Sequence, residues 1–332
     1  MSTVTTGAPQ TVVLGPEAVP APPIAVFETV DGYSGALEAV RRSGRTVGVV
    51  PTMGALHEGH CSLIERAARE CDVVAVSIFV NPTQFGDPAD LALYPRTFDA
   101  DLQVVAAAGG DLVFAPSVAE MYPEGSTLAG PSHRRPRSTV SAPELAGRWE
   151  GASRPGHFDG VATVVVKLLS AAGVCRAYFG EKDFQQLALV RRVVSDRGLP
   201  TEVVGCETVR QEDGLALSSR NARLSSEQRR AALALSRALQ SGASMMARGE
   251  DSPTAIEAAM QRVVAGEPLV TLDYAAVVYA DDLEPVPTCA TPRPLRLLIA
   301  ADVGPVRLID NLDPLGQLSG RTPVGALRHP GA

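Results

Sequence analysis

The sequence contains no run of lysines and arginines, no C-x-x-C pair and no apolar stretch near the roughly 18 residues that a membrane span needs. Net charge is −7 over 332 residues. An acidic chain without clustered cations is a poor partner for nucleic acid, whose phosphate backbone is bound through such clusters. The one basic knot, His133-Arg134-Arg135-Pro136-Arg137, is short, broken by proline and set among Ser, Pro and Gly, so it reads as a solvated loop. Five cysteines, Cys61, Cys71, Cys175, Cys206 and Cys289, are scattered and odd in number. They fit reduced, mostly buried thiols rather than a disulfide framework or a zinc site. Neither a G-x-x-x-x-G-K-[ST] phosphate loop nor a G-x-G-x-x-G fingerprint occurs, which disfavours ordinary P-loop and dinucleotide folds. Without a G-x-S-x-G elbow, Ser218 and Ser219 lack a hydrolase context. Residues 1–23 have no basic n-region and no solid apolar block, and read as a disordered tail rather than a signal peptide. The expected protein is soluble and cytoplasmic.

What the sequence does hold is a hydrophobic content of 45%, enough for two cores. Val47 to Val50 reads as a short strand that empties through a turn on Pro51 and Gly54 into His57-Glu58-Gly59-His60 and a helix beginning near Cys61. Asp72 to Val80 is a nearly unbroken β-branched run, of the kind found in parallel strands covered on both faces. Strand and helix alternate on through Phe98 to Ala108, Asp111 to Phe114, Val161 to Ala172, Arg176 to Phe179, Phe184 to Arg197 and Glu202 to Cys206. This alternation predicts an α/β fold with a doubly wound, Rossmann-like parallel sheet, whose ligands sit at the carboxyl ends of the strands. Residues 123–143 read as a long irregular loop. Beyond residue 208 the character changes to two Ala-rich helices and a set of strands, so the expected domains are 24–208, holding the Rossmann-like sheet, and 209–318, a smaller C-terminal α+β unit, with 319–332 a flexible tail.

Three polar clusters fall at exits from the proposed strands: His57 with His60, Lys182 with Asp183, and Ser218-Ser219-Arg220. A strand that feeds a helix N-terminus presents backbone N–H groups to an anion, and two imidazoles add further donors. Imidazoles, a lysine point charge and a Ser-Ser-Arg group together suit a triphosphate better than any apolar ligand. Two readings compete: histidines that merely cap or pack, and a metal site built on His57, His60 and His157, against which Gly59 marks a helix entrance and no H-E-x-x-H spacing exists.

Six strings carry a resemblance to a known family: Pro51 to His60, Ser77 to Phe85, Tyr94-Pro-Arg-Thr97, Arg154-Pro-Gly-His-Phe158, Phe179 to Gln186 and Asp213 to Asn221. Over residues 24–318 the chain resembles pantoate–β-alanine ligases, and the H-x-G-H string is similar to the ATP signature of class I aminoacyl-tRNA synthetases. The resemblance implies a cytidylyltransferase-like fold, a cytoplasmic homodimer, and the condensation of (R)-pantoate with β-alanine at the expense of ATP, through a pantoyl-adenylate. It implies ATP contacts at Met53, Gly54, Ala55, Leu56, His57, Glu58, Gly59 and His60, at Gly180, Glu181, Lys182 and Asp183, and at Val209, Leu217, Ser218, Ser219 and Arg220. His60 is the implied proton donor, with His57, Lys182 and Arg220 beside it in the catalytic set. Gln84 matches a position that meets pantoate and β-alanine, and Gln186 one that meets pantoate; neutral amides hold hydroxyls and a carboxylate without neutralising the nucleophile. Mg2+ is expected with ATP. Ala100 stands where certain members carry an acid, which leaves Asp101 as the expected ligand. A nucleotidyltransferase acting on a phosphate acceptor, and a nucleotide-binding protein without catalysis, remain as alternatives. The former would favour Arg or Lys where the two glutamines stand.

Overall fold

The computed structural model describes residues 24–123 and 138–316. The N-terminal tail, most of the 123–143 stretch with its basic knot, and the 319–332 tail lie outside the described residues. Six strands, β1 (Ala25–Phe27), β2 (Val47–Thr52), β3 (Val73–Ile78), β4 (Leu112–Phe114), β5 (Cys175–Gly180) and β6 (Thr201–Cys206), pair in the order β1-β4-β3-β2-β5-β6. Every pairing is parallel. From β2 the chain winds outward through β3 to β4, then returns to lay β5 against the other edge of β2. The strand order therefore reverses between β2 and β5, and their carboxyl ends flank the crevice where doubly wound sheets bind ligands.

Strand periodicity distributes the core. Val47 and Val49 of β2, with Val73 and Ala75 of β3, join one apolar cluster; Val50, Val74 and Val76 join another on the opposite face. The first face is covered by α1 (Val30–Arg42), α8 (His157–Ala172) and α9 (Phe184–Asp196), and the second by α2 (Glu58–Glu70) and α4 (Phe98–Ala107). Gly48 has no side chain because Ala67 and Cys71 of α2 pass directly over it; a Cβ there would lie 3.2 Å from that of Ala67. Four short helices, α3 (Pro88–Ala92), α5 (Val118–Met121), α6 (Pro143–Ala146) and α7 (Glu150–Ser153), fill the connections.

The second sheet is antiparallel, β7 (Val270–Tyr279), β8 (Leu295–Val303) and β9 (Val306–Leu312), backed by α10 (Ser226–Ala247) and α11 (Pro253–Ala265). Alternate residues again take opposite sides. Ala275 and Val277 pack on the helices, whereas Ala276 and Val278 enter the core shared with the large sheet. On β9, Val306 and Leu308 pack with the helices, while Arg307 and Asn311 reach residues of the first sheet's connections. All five cysteines are free; Cys175 and Cys206 are buried and the other three half-buried.

Two boundaries differ from expectation in ways that matter. Helix α2 begins at Glu58 rather than near Cys61, because the His57 side chain itself caps it. Helix α8 begins at His157 rather than Val161, since Gly156 takes the left-handed conformation at its N-cap.

Candidate active site

The loop leaving β2 is held from beneath. Gly54 and Ala55 both have positive φ, 81° and 51°, and a Cβ on Gly54 would stand 2.9 Å from the Asp101 carboxylate. Ala55, an L-residue in a costly conformation, is kept there by its N–H donating to Asp101 Oδ2 at 3.0 Å. Leu56 N donates to the other oxygen at 2.8 Å, and the Thr97 hydroxyl lies 3.2 Å from both. Asp101 is 2% exposed. Its carboxylate thus occupies the backbone anion nest of this loop, each oxygen already accepting a backbone N–H group. Among the described residues there is no group of three or more His, Cys, Asp or Glu side chains able to hold a metal ion.

His57 and His60 form a reciprocal cap. His57 Nδ1 accepts from Gly59 N at 3.1 Å, and His60 Nδ1 accepts from His57 N at 3.3 Å. With Nδ1 an acceptor in both rings, each neutral imidazole carries its proton on Nε2. Gly59 is required for this packing, because a Cβ there would fall 2.9 Å from His57 Cε1. The rings lie 4.2 Å apart. Burial, reinforced by His57, pushes His60 down to about 3, and burial with the nearby Lys182 charge lowers His57. Both rings are therefore neutral donors at pH 7.

These rings face a cavity of about 450 Å³, which Lys182, Ser218, Ser219, Arg220, Gln186, Gly180, Val209 and Leu217 also line. Lys182 follows β5, on the other side of the switch point, and its ammonium lies 3.2 Å from Asp183 Oδ1. Ser218 caps a short 3-10 turn, accepting from Arg220 N at 3.3 Å. An adjoining cavity of about 510 Å³ shares Lys182, Asp183, Gln186, Ser218 and Arg220, and extends to Glu150, Arg154, His157 and Arg307. The structure thus brings the three sequence clusters together around one volume.

Other expected residues stand further back. Glu58 is exposed on the first turn of α2, and Glu181 pairs with Arg296 at 3.0 Å. Gln84 sits behind Met53: its Nε2 donates to Met53 Sδ at 3.0 Å, and its Oε1 accepts from Asn81 Nδ2 at 3.0 Å. Asn81, 1% exposed, also donates to the Gly160 carbonyl and accepts from the Tyr122 hydroxyl and from the backbone and hydroxyl of Thr83. Gly160 lets α8 touch this turn, since a Cβ would meet the Thr83 carbonyl at 2.3 Å. The neighbouring glutamines divide their work: Gln185 is buried, accepting from Glu150 N and donating to the Leu145 and Arg148 carbonyls, whereas Gln186 lines both cavities.

His157 is no third metal ligand. Its Nδ1 lies 2.7 Å from the Gln84 carbonyl and its Nε2 faces Arg154 at 3.3 Å; burial and the Arg154 charge push it down to about 4. Arg154 and His157 belong to a motif visible in the sequence, but nothing there indicated a place beside the cavity. Glu150, Arg307 and Asn311 were missed outright, because β9 approaches from 100 residues and more along the chain.

A sequence profile described as Pantoate-beta-alanine ligase matches residues 25–313. The chain belongs to this family. A pantothenate synthetase from Rubrobacter xylanophilus is 52% identical over 271 residues, 82% of this chain and 92% of that protein. The crystal structure of pantothenate synthetase from Thermus thermophilus superposes with a TM-score of 0.79 at 44% identity, covering 88% of this chain and 99% of that one. A pantoate-beta-alanine ligase from Francisella tularensis, crystallised with a β,γ form of ATP and β-alanine, gives 0.67 at 33% identity, covering 88% and 98%. Within the pantoate–β-alanine ligase family, then, the cavity between β2 and β5 is the candidate for the adenylation chemistry.

Proposed function

We propose that this chain, an enzyme of the pantoate–β-alanine ligase family, joins pantoate to β-alanine by adenylation in the cavity between β2 and β5. The observation that carries this reading is the convergence of two neutral Nε2–H donors, the Lys182 ammonium and Ser218-Ser219-Arg220 on one volume that also meets the uncharged amide of Gln186. A carboxylate does not acylate an amine at neutral pH, because oxide cannot leave. In the first step a pantoate carboxylate oxygen attacks the α-phosphorus of ATP, the bond to the bridging oxygen breaks, and diphosphate leaves. Preorganised donors must meet the charge that grows on those oxygens. His57 and His60 supply them at the head of α2, Lys182 and Arg220 hold the phosphates, and Val209 with Leu217 flanks the base. In the second step the free amine of β-alanine attacks the acyl carbon, AMP departs, and the ammonium proton is lost to solvent or a nearby base.

The resemblance casts His60 as a proton donor. Burial holds the His60 ring near 3 in the free protein, so its neutral Nε2–H stands ready to donate a hydrogen bond to the phosphates, whose own charge favours proton gain by the ring once ATP is bound. Gln186 holds pantoate directly. Gln84, backed by Asn81 and His157, supports the same end of the site through Met53.

A domain boundary near residue 208, a homodimer and a cytoplasmic location complete the proposal. The six-stranded sheet ends at Cys206, and no helix among the described residues is long and apolar enough to cross a membrane. The dimer rests on family resemblance, and light scattering tests it. The activity is tested by incubating the protein with ATP, pantoate and β-alanine and quantifying pantothenate, AMP and diphosphate. Equimolar formation of the three is expected; ADP and phosphate instead would overturn the adenylate route.

A further inference from the structure

The Glu181-Lys182 backbone is fastened by the second sheet. Asn311 Nδ2, on β9, donates to the carbonyls of both Glu181 and Lys182, at 2.9 and 2.8 Å. The other end of that amide, Oδ1, accepts from Arg296 Nε of β8 at 2.7 Å, which fixes which way the amide points. Arg296 in turn reaches Glu181 Oε2 at 3.0 Å and stacks 4.2 Å over the Phe184 ring. Arg296 and Asn311 are each 3% exposed, so these bonds are shielded from water. The residue before Asn311 serves another segment. Asp310 pairs bidentately with Arg210 at 2.7 and 2.8 Å, and Arg210 also donates to the Gly214 carbonyl inside the turn that leads to Ser218 and Arg220. Consecutive residues of one strand thus hold both cationic walls of the cavity.

We propose that Asn311 is a positioning residue for Lys182, setting the origin from which the lysine reaches the nucleotide phosphates. A lysine side chain is a flexible stem carrying a point charge, so its head can be placed only as well as its backbone is held. Lys167 and Lys182 are the only lysines in a chain otherwise supplied with arginine, which marks position 182 as one where a compact ammonium is used. The inference rests on the phosphate-holding role proposed for Lys182.

Substitution Asn311→Asp keeps the acceptor for Arg296 and removes both donors to the carbonyls. Pantoate-dependent ATP–diphosphate exchange is to be measured for wild type, Asn311→Asp, Lys182→Ala and the double variant, each with its melting temperature. Asn311→Asp is expected to slow exchange at saturating substrates about tenfold or more with the pantoate KM changed less than about twofold, and to cost less than about threefold in the Lys182→Ala background. Equal losses in both backgrounds, or no loss in wild type, would overturn the proposal. A Lys182→Ala variant of full activity would instead remove the role assigned to Lys182 itself. Should Asn311→Asp fail to fold, Asn311→Ser, which is too short to bridge both carbonyls, replaces it in the same cycle with the same outcomes.

Discussion

Asp101→Asn separates two roles that one carboxylate could play beneath the β2 loop. The substitution is isosteric, but one oxygen becomes an NH2 group. Because Ala55 N donates to one oxygen and Leu56 N to the other, either orientation sets a buried backbone N–H against a donor. An unsatisfied buried N–H costs about 1–3 kcal/mol, and loss of the charge-assisted character of the surviving bond raises the total to about 2–4 kcal/mol. For a domain of this size that corresponds to a fall of about 5–12 °C in melting temperature. Activity should fall with it, because the same loop delivers His57 to its cap. The assay is differential scanning fluorimetry alongside diphosphate exchange titrated with Mg2+. The expected result is a lower melting temperature with the Mg2+ concentration for half-maximal rate unchanged. An unchanged melting temperature with a several-fold greater Mg2+ requirement would refute the reasoning and restore Asp101 as a metal ligand.

His60→Ala removes one Nε2–H donor and should reduce the exchange rate about 10²–10³-fold, with a smaller change in the KM for ATP. Lys182→Arg substitutes a broad fork for a compact ammonium and should cost at least about tenfold in the same assay. Acid stability follows from two imidazoles, His60 held near 3 and His157 near 4, against an unfolded value of about 6.5. Their folded values are depressed, so the unfolded chain binds more protons below about 6.5. Their stabilisation is complete above that pH and declines as the pH falls towards 4 and then 3, by at most about 2 kcal/mol each at pH 5. Denaturant midpoints at pH 7 and 5 should show this loss, and His157→Gln should reduce it by about half.

The large sheet was legible because its strands are covered on both faces and therefore read as apolar runs such as Val73 to Ile78, separated by helical segments of ordinary length. His57, His60, Lys182 and Arg220 were legible for a different reason, since each follows a strand or turn and lies in a long, specific string. The capping role of His57 was only one weak reading among several, because histidine is a rare N-cap and its ring must fold back over a glycine to serve as one. The contacts of Asp101 were hidden for a related cause: a lone acid near a phosphate site looks the same in sequence whether it faces a metal or a nest of backbone N–H groups. Position in the Phe179–Gln186 string singles out Gln186, but only the helix turn shows that Gln185 is tied to the Glu150, Leu145 and Arg148 backbone while Gln186 reaches both cavities. Arg296, Asp310 and Asn311 read as ordinary strand residues until the second sheet is docked, because their partners lie about 100 residues or more away.

The central claim is that activation of a carboxylate precedes and does not require the amine. Exchange of labelled diphosphate into ATP, with pantoate present and β-alanine absent, tests it directly. The account predicts exchange that depends on pantoate and disappears when pantoate is omitted. Protein that forms pantothenate from all three substrates yet shows no exchange with pantoate alone would contradict it.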